Sequence, residues 1–261
     1  MNIPKIIHQI WWQGIDKLPN KYSIYRKSWI KNHPNWQIIV WDKNSFENLL
    51  FNKVKNKLNI LTYNQLPYMI QKIDYAKYVI LNYMGGVYVD MDTVSEKSIE
   101  ELLSKSPKGL ILSKLEVYKI INFKLINNGI LISRKNHPFY KYLFYLIYVN
   151  RNQKFYQNKD WYIMDSTGPL VFTNAVMIYL QESCSKDIEI LEDNFLESCK
   201  MMEYSECHKK GVYITHYHDC SWCSNILLVH FKLLRFFYKN KYILFSIFLA
   251  VLLNIFYLYN I

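Results

Sequence analysis

The sequence predicts an α/β protein with a single, mostly parallel sheet flanked by helices and a hydrophobic C-terminal helix. Short apolar runs bounded by glycine and proline alternate with stretches of helical spacing, the pattern of strands joined by crossover helices. Hydrophobic residues make up 51% of the 261 positions and aromatics 17%, enough for one large core. Residues 242–259, "YILFSIFLAVLLNIFYLY", carry no charge, which sets them at the short edge of membrane-spanning length.

The elements follow in order. "IPKIIHQIWWQG" is an apolar run that ends in glycine and reads as a buried first strand with a loop after it. "NKYSIYRKSWIKNHP" has helical spacing and stops at Pro34. "NWQIIVWD" is a second strand. "NSFENLLFNKVKNKL", capped by Ser45 or Asn44, places apolar residues at 46, 49, 50, 54 and 58 as one helical stripe. "PYMIQKIDYAKYVILNYM" starts with Pro67 at its first helical position and ends at Gly85. "GVYVDMDT" is a strand, "SIEELLSK" a short helix, and "KGLILSKL" and "NNGILISR" are strands. "NHPFYKYLFYLIYVNRN" is a helix, and "STGPLVFTNAVMIYLQES" opens another after a Gly-Pro turn. "IEILED" and "GVYITHYH" are short strands. No repeat or long linker divides the chain, so one domain spans 1–225. Residues 226–261 follow as an amphipathic basic segment and a membrane-attachment helix. Lys239 and Lys241 stand before the uncharged stretch, where positive residues mark the cytoplasmic side of a single-pass protein.

The formal net charge is +11, but the lysines are scattered among asparagine and isoleucine. The charge therefore reads as compositional bias rather than as a nucleic-acid footprint, and no nucleic-acid partner is expected. Five cysteines, at 184, 199, 207, 220 and 223, make an odd count that argues against a full disulfide framework. Cys220 and Cys223 form a C-x-x-C, and Cys199, Cys207 and His208 lie upstream. The spacing matches no common zinc module, so reduced cysteines are expected.

The chemistry is carried by "GGVYVDMDTV". In an open α/β sheet, ligands bind beyond the carboxyl ends of strands. Strand alternation brings Asp90 and Asp92 to one side, where two carboxylates repel and resist ionising unless a cation joins them. All-oxygen ligation suits Mg2+ or Mn2+ with a substrate diphosphate. The alternative is a polar turn in which Asp92 caps the next helix. Gly85 and Gly86 let the preceding helix turn tightly into the strand. On that helix Asp74 and Lys77, three apart, share one face. They suit sugar hydroxyls and phosphate respectively, or else form an exposed ion pair.

"IPKIIHQIWWQG", "SWIKNHPNWQIIVWD" and "IDYAKYVILNYMGGVYVDMDT", in this order, resemble the glycosyltransferase family with the sugar-binding DxD region. That family includes initiation mannosyltransferases of the Golgi, inositol phosphorylceramide mannosyltransferases and capsular polysaccharide transferases; the glucosylating domains of large clostridial toxins are more distant. The resemblance covers about residues 3–222. It implies a GT-A fold, a nucleotide-sugar donor (GDP-mannose or UDP-hexose), Mn2+ (or Mg2+), and retaining transfer of a hexose, mannose above all, to a lipid or glycan acceptor. The ceramide branch points to glycosphingolipid synthesis, and the Golgi members to lumenal placement.

The resemblance also implies roles. Trp11 stacks on the nucleotide base, Asp74 holds the donor sugar, Asp90 contacts ribose and sugar hydroxyls, and Asp92 binds the metal. Lys77 stands where the family usually has arginine, which replaces a planar fork with a point charge. Asn127 and Asn128 match an asparagine-bearing strand on the acceptor side. Thr167, Gly168 and Pro169 match a segment heading a helix, with backbone N–H groups free for an anion. In "ITHYHDCSW", His216 or His218 completes the metal shell, His216 being favoured by the alignment, and Ser221 and Trp222 close over the diphosphate. Two other readings compete: a hydrolase using Asp90 and Asp92 as acid and base, and a catalytically silent basic module on a membrane.

Overall fold

The computed structural model describes residues 3–118, 123–182, 187–199 and 209–240. Its elements begin with β1 (Ile6–Ile10), α1 (Asn20–Asn32) and β2 (Gln37–Trp41). Helix α2 (Lys43–Asn48) runs into a π-helical turn, Leu49–Val54. Then come α3 (Lys57–Gln65), α4 (Met69–Met84), β3 (Gly86–Val89), β4 (Thr93–Ser95), α5 (Glu100–Lys105), β5 (Leu110–Tyr118), β6 (Phe123–Ile126) and β7 (Ile130–Ser133). The rest are α6 (Phe139–Val149), α7 (Lys159–Ser166), α8 (Pro169–Glu182), β8 (Ile188–Leu191), α9 (Asp193–Leu196), β9 (Ile214–His216) and α10 (Asn225–Lys239).

The main sheet has the order β2-β1-β3-β7-β5-β6, with β8 also paired to β5. Its character is mixed rather than mostly parallel, which corrects the expectation. β1–β2, β1–β3 and β5–β8 are parallel, whereas β3–β7, β5–β7 and β5–β6 are antiparallel. The reason is β7, a fully buried four-residue strand inserted against β3. So short an apolar run does not encode its direction. A second, two-stranded sheet pairs β4 with β9.

Helices cover both faces. One face packs Tyr88, Leu112 and Leu131 under α4, α6 and α8 through Tyr78, Leu81, Phe139, Leu143, Phe172 and Val176. The other packs Ile7, Val87, Val89, Ile111 and Ile130 against Trp29 of α1, Leu102 of α5 and Leu196 of α9. The indole N–H of Trp29 donates to the Thr93 carbonyl at 3.2 Å, tying α1 to β4.

The α4–β3 junction explains the double glycine. Gly85 has φ +71° and Gly86 φ +104°, a region that L side chains rarely enter. A Cβ on Gly86 would also lie 2.5 Å from the Ile6 carbonyl oxygen. The two glycines let a 16-residue helix reverse at once into a strand lying against β1.

His8 sits beneath this junction, wholly buried. Its Nε2 meets the Gly85 carbonyl at 2.9 Å, and its Nδ1 accepts from the Trp41 indole at 3.1 Å. An indole N–H cannot accept, so the ring is held neutral with its proton on Nε2. Burial pushes its pKa down to about 4 from 6.5, against the pull of the Gly85 bond. The unfolded chain takes up this proton first, so stability present above pH 6.5 should be lost as pH falls towards 4, by up to roughly 3 kcal/mol. Urea unfolding at pH 7 and pH 5 with ring-proton NMR checks this. A native His8 ring titrating near its ordinary pKa would refute it.

Several local expectations are corrected. Asp42, not Ser45 or Asn44, caps α2; Ser45 at the third position completes a capping box. The single stripe from 46 to 58 is broken at Lys55, whose φ is +53°. Pro67 stands before the α4 cap, Tyr68, rather than inside the helix. β3 stops at Val89, so Asp90 and Asp92 lie in the turn after the strand. β6 and α7 were not foreseen.

Helix α10 packs onto the α/β body through Phe231, buried against Leu115 and Leu125. Its first cap is Ser224, whose hydroxyl and N–H both bond to Asp160 of α7. The uncharged 242–259 stretch, and with it the expected transmembrane helix, lies outside the described residues. Among the described residues no helix is long and apolar enough to cross a membrane.

Candidate active site

The turn after β3 is tight. The Asp90 N–H donates to the Gly129 carbonyl at 2.8 Å, and the Thr93 N–H returns to the Asp90 carbonyl at 3.2 Å. Thr93 then opens β4, which pairs antiparallel with β9 in the register Thr93↔His216. This register, set by the small sheet, brings His216 against the two carboxylates. Its Nε2 is 3.2 Å from Asp92 Oδ1 and 4.0 Å from Asp90 Oδ2. The other Asp92 oxygen accepts the Asp219 N–H at 2.8 Å, and Asp90 accepts from the Tyr88 hydroxyl at 2.6 Å.

These groups line a cavity of about 400 Å³, bounded also by Trp11, Asp74, Lys77, Asn128 and Trp222. Asp74 and Lys77 form a 2.7 Å ion pair with side chains only 8% and 3% exposed. The surface-pair alternative is thereby excluded. Thr167 Oγ1 donates to Asp74 at 3.3 Å. Asn128 donates to the Tyr78 hydroxyl at 2.9 Å and to Asp74 at 3.4 Å.

Charge is distributed unevenly. Burial lifts Asp90 above the usual carboxylate range, and Asp92 repels it further, against Lys77 and His216. Burial acts on Asp92 too, but the charge and hydrogen bond of His216, with the Asp219 N–H, outweigh it and hold that carboxyl low. Burial opposes charging of His216; Glu197 and Asp92 overcome it and raise the imidazole well above its usual value. Burial likewise raises Asp74, although Lys77 offsets it.

The donor set fits a hard divalent cation. Ligand atoms of Asp90, Asp92 and His216 all lie within 4.8 Å of one another. The space beside them is kept by Gly129, where a Cβ would fall 2.6 Å from Asp90 Oδ2 and 2.8 Å from His216 Cε1. A protonated His216 and a bound cation are alternative balances for the same acids.

The other expected residues fall unequally. Trp11 lines the cavity, its ring 5.4 Å from that of Tyr22. Trp12 is half-buried against Phe46 and touches the cavity as well. Ser221 and Trp222 line the cavity. Thr167 and Gly168 head α8, but both backbone N–H groups are taken by the Ile163 carbonyl, which removes the expected anion donors at those two positions. His218 has φ +50° and turns its Nε2 to Glu197 and to the Cys199 carbonyl, not to the carboxylate pair. Cys220 and Cys223 are free thiols on this loop, whereas Cys199 is disulfide-bonded, correcting the expectation that all cysteines are reduced. Cys207 and His208 lie outside the described residues. Glu197 was missed: it meets His216 and His218 from behind the cavity, and nothing in "FLESCK" marks it.

Comparison with known proteins places this geometry. Residues 19–108 match the family described as "glycosyltransferase sugar-binding region containing DXD motif". A glycosyltransferase of Acanthamoeba polyphaga mimivirus, itself uncharacterized, is 31% identical over 248 residues, covering 94% of this chain and 92% of that one. The chain belongs to this DXD glycosyltransferase family. Inositol phosphoceramide mannosyltransferase 3 of Schizosaccharomyces pombe is 30% identical over 179 residues. The aligned part covers 64% of this glycosyltransferase and only 43% of the fission-yeast protein. The solved PaToxG glycosyltransferase superposes with a TM-score of 0.50 at 21% identity, covering 69% of each chain, and shares the GT-A-type fold.

Proposed function

We propose that this glycosyltransferase moves a hexose, mannose foremost, from a nucleotide-diphosphate sugar to a lipid or glycan acceptor. Asp90, Asp92 and His216 would hold Mn2+ or Mg2+. The observation that carries the reading is the convergence of these three side chains and the buried Asp74–Lys77 pair on one cavity. Bound there, the cation would supply positive charge to the leaving diphosphate.

The chain's own residues do the rest. Asp74, steadied by Thr167 and Asn128, offers a carboxylate to sugar hydroxyls. Lys77 adds a fixed positive charge between Asp74 and Asp90. Trp11 gives the base a ring to stack on, and Ser221 and Trp222 line the same cavity. Rate enhancement then comes chiefly from positioning and electrostatics. Retention of configuration rests on the family resemblance. The name of the fission-yeast relative favours a lipid acceptor.

Heat-shift measurements with a panel of UDP- and GDP-hexoses, with and without Mn2+, followed by product analysis on ceramide-type and soluble glycan acceptors, test this. Stabilisation by one donor only in the presence of the ion, with transfer to an acceptor, is expected. Release of free hexose without benefit from any acceptor would make the protein a hydrolase. Trp11→Ala should raise the donor KM roughly 10-fold, since base stacking contributes about 1–3 kcal/mol, with kcat less affected. Trp12→Ala should instead lower stability, by less than the roughly 3–5 kcal/mol of a fully buried tryptophan. Reversed phenotypes would exchange the two roles.

Membrane attachment through 226–261, after a catalytic unit ending near 225, belongs to the same proposal. On α10, Ile226, Val229, Leu233, Phe236 and Phe237 are exposed on one stripe opposite the buried Phe231. With Lys232 beside the stripe, this face suits a helix lying in a bilayer interface. The Cys199 disulfide weighs for an oxidising, lumenal compartment against the cytoplasmic orientation of the lysine flank. Carbonate washing and protease protection of the full-length chain should find it membrane-bound. Release by carbonate would leave only the interfacial stripe, and a chain that never sediments with membranes would end the attachment proposal.

A further inference from the structure

Glu197 follows α9 directly, and its side chain is wholly excluded from solvent. It is not among the residues that line the cavity. One of its two oxygens, Oε1, is hydrogen-bonded; Oε2 is not. Oε1 lies 2.9 Å from His216 Nδ1, and Oε2 lies 2.9 Å from His218 Nε2. The two imidazole rings lie against each other, with centroids 3.9 Å apart. His218 Nε2 is also 3.0 Å from the Cys199 carbonyl. The only other polar group near His216 Nδ1 among the described contacts is the Asn127 amide, at a longer 3.4 Å. On its far side, His216 Nε2 faces Asp92 at 3.2 Å. The line thus runs from a buried carboxylate through an imidazole to the carboxylate pair.

We infer that Glu197 is the positioning residue of the site: it holds the proton of His216 on Nδ1 and so leaves the Nε2 lone pair aimed at the space between Asp90 and Asp92. This rests on the proposed cation site. A carboxylate is acceptor-only when ionised, so the ring nitrogen facing it must be the donor. The other nitrogen is then free to ligate. Carboxylates behind metal-binding histidines fix tautomer and orientation in this way, and their loss typically weakens metal binding 10–100-fold. His218 has a separate part. Its Nε2 bonds to the Cys199 carbonyl and stands 2.9 Å from the second Glu197 oxygen without hydrogen-bonding it, and its ring backs the His216 ring. The small sheet supplies His216, the α9 end supplies Glu197, and His218 packs beside both. None of the three needs to touch the donor for this to operate.

The test is Mn2+ affinity of the intact chain, read from the EPR signal of the free ion with no nucleotide present. Glu197→Gln should raise the Kd for Mn2+ at least about 10-fold while the melting temperature stays near that of the wild type. Glu197→Asp, which keeps the charge on a shorter arm, should recover part of the affinity. Transfer by Glu197→Gln should return towards the wild-type rate at saturating Mn2+, which a merely structural defect would not allow. Unchanged Mn2+ affinity in Glu197→Gln, against a wild type that binds the ion, overturns this inference alone. A wild type that binds no Mn2+ overturns the cation site and the inference together. A second measurement needs no variant. Long-range 15N NMR of the Mg2+-loaded wild type should find the His216 proton on Nδ1, and a proton on Nε2 overturns the assignment even if Glu197→Gln fails to fold.

Discussion

Asp92→Asn is expected to cost at least about 100-fold in kcat/KM, roughly 3 kcal/mol of transition-state stabilisation. The geometry explains why so small a change is not tolerated. One Asp92 oxygen accepts the Asp219 N–H and the other faces His216 Nε2. An amide can satisfy the first only by turning its NH2 group towards the second. The charge that draws a cation is lost, and a donor is aimed at the nitrogen that should ligate. Folding should survive, because Asp92 sits in a turn held by the backbone bonds of Asp90, Thr93 and Tyr217. Kinetics with excess Mn2+ and with EDTA, beside a melting curve, check this. Near-normal turnover by the variant, or full wild-type activity in EDTA, removes the metal role.

The second large effect is on Lys77. Lys77→Ala should remove most activity and also destabilise the fold by about 3–5 kcal/mol, since it strands a buried carboxylate. Asp74 already has its pKa raised by burial despite the lysine. Without the lysine it should rise further. A carboxyl whose folded pKa lies above its unfolded value costs stability above that pH and regains it as pH falls, so the variant's deficit should be smaller at pH 5 than at pH 8. Lys77→Arg keeps the charge and should retain measurable activity, although a planar fork fits a lysine's place imperfectly. Denaturation at the two pH values, with donor kinetics, is the measurement. An alanine variant that matches wild type in both would make the pair dispensable.

How far the sequence could be read depended on how local each cause was. The strands of β1 and β2, the α4 helix and its double-glycine end were legible because apolar period and backbone demands lie within a few residues. The same holds for Asp90 and Asp92. Sheet direction was not, since the antiparallel placement of β7 depends on its neighbours, and "ILIS" reads alike either way. The α2 cap was misplaced because Asp42, Asn44 and Ser45 are all good capping residues, and only a reciprocal pair of bonds selects Asp42. Helix α7 was overlooked because "KDWYIMDS" lacks a clean apolar stripe. Glu197 stayed hidden for another reason: its partners are 19 and 21 positions away on a different element, joined by a register that no local pattern announces. The burial of Asp74 and Lys77 was likewise beyond a spacing argument, because an i,i+3 pair looks the same inside and outside a protein.

Gly129 bears on the design of a control. Mutating an acid to silence such a site changes net charge, hydration and long-range attraction along with the chemistry. A methyl group at 129 would fall 2.6 Å from Asp90 Oδ2 and 2.8 Å from His216 Cε1, so these side chains must shift to admit it and the gap is blocked, while no ionisable group is removed. A glycosyltransferase inactivated there would keep its electrostatic field, so encounter with an anionic donor and its subsequent capture become separable events.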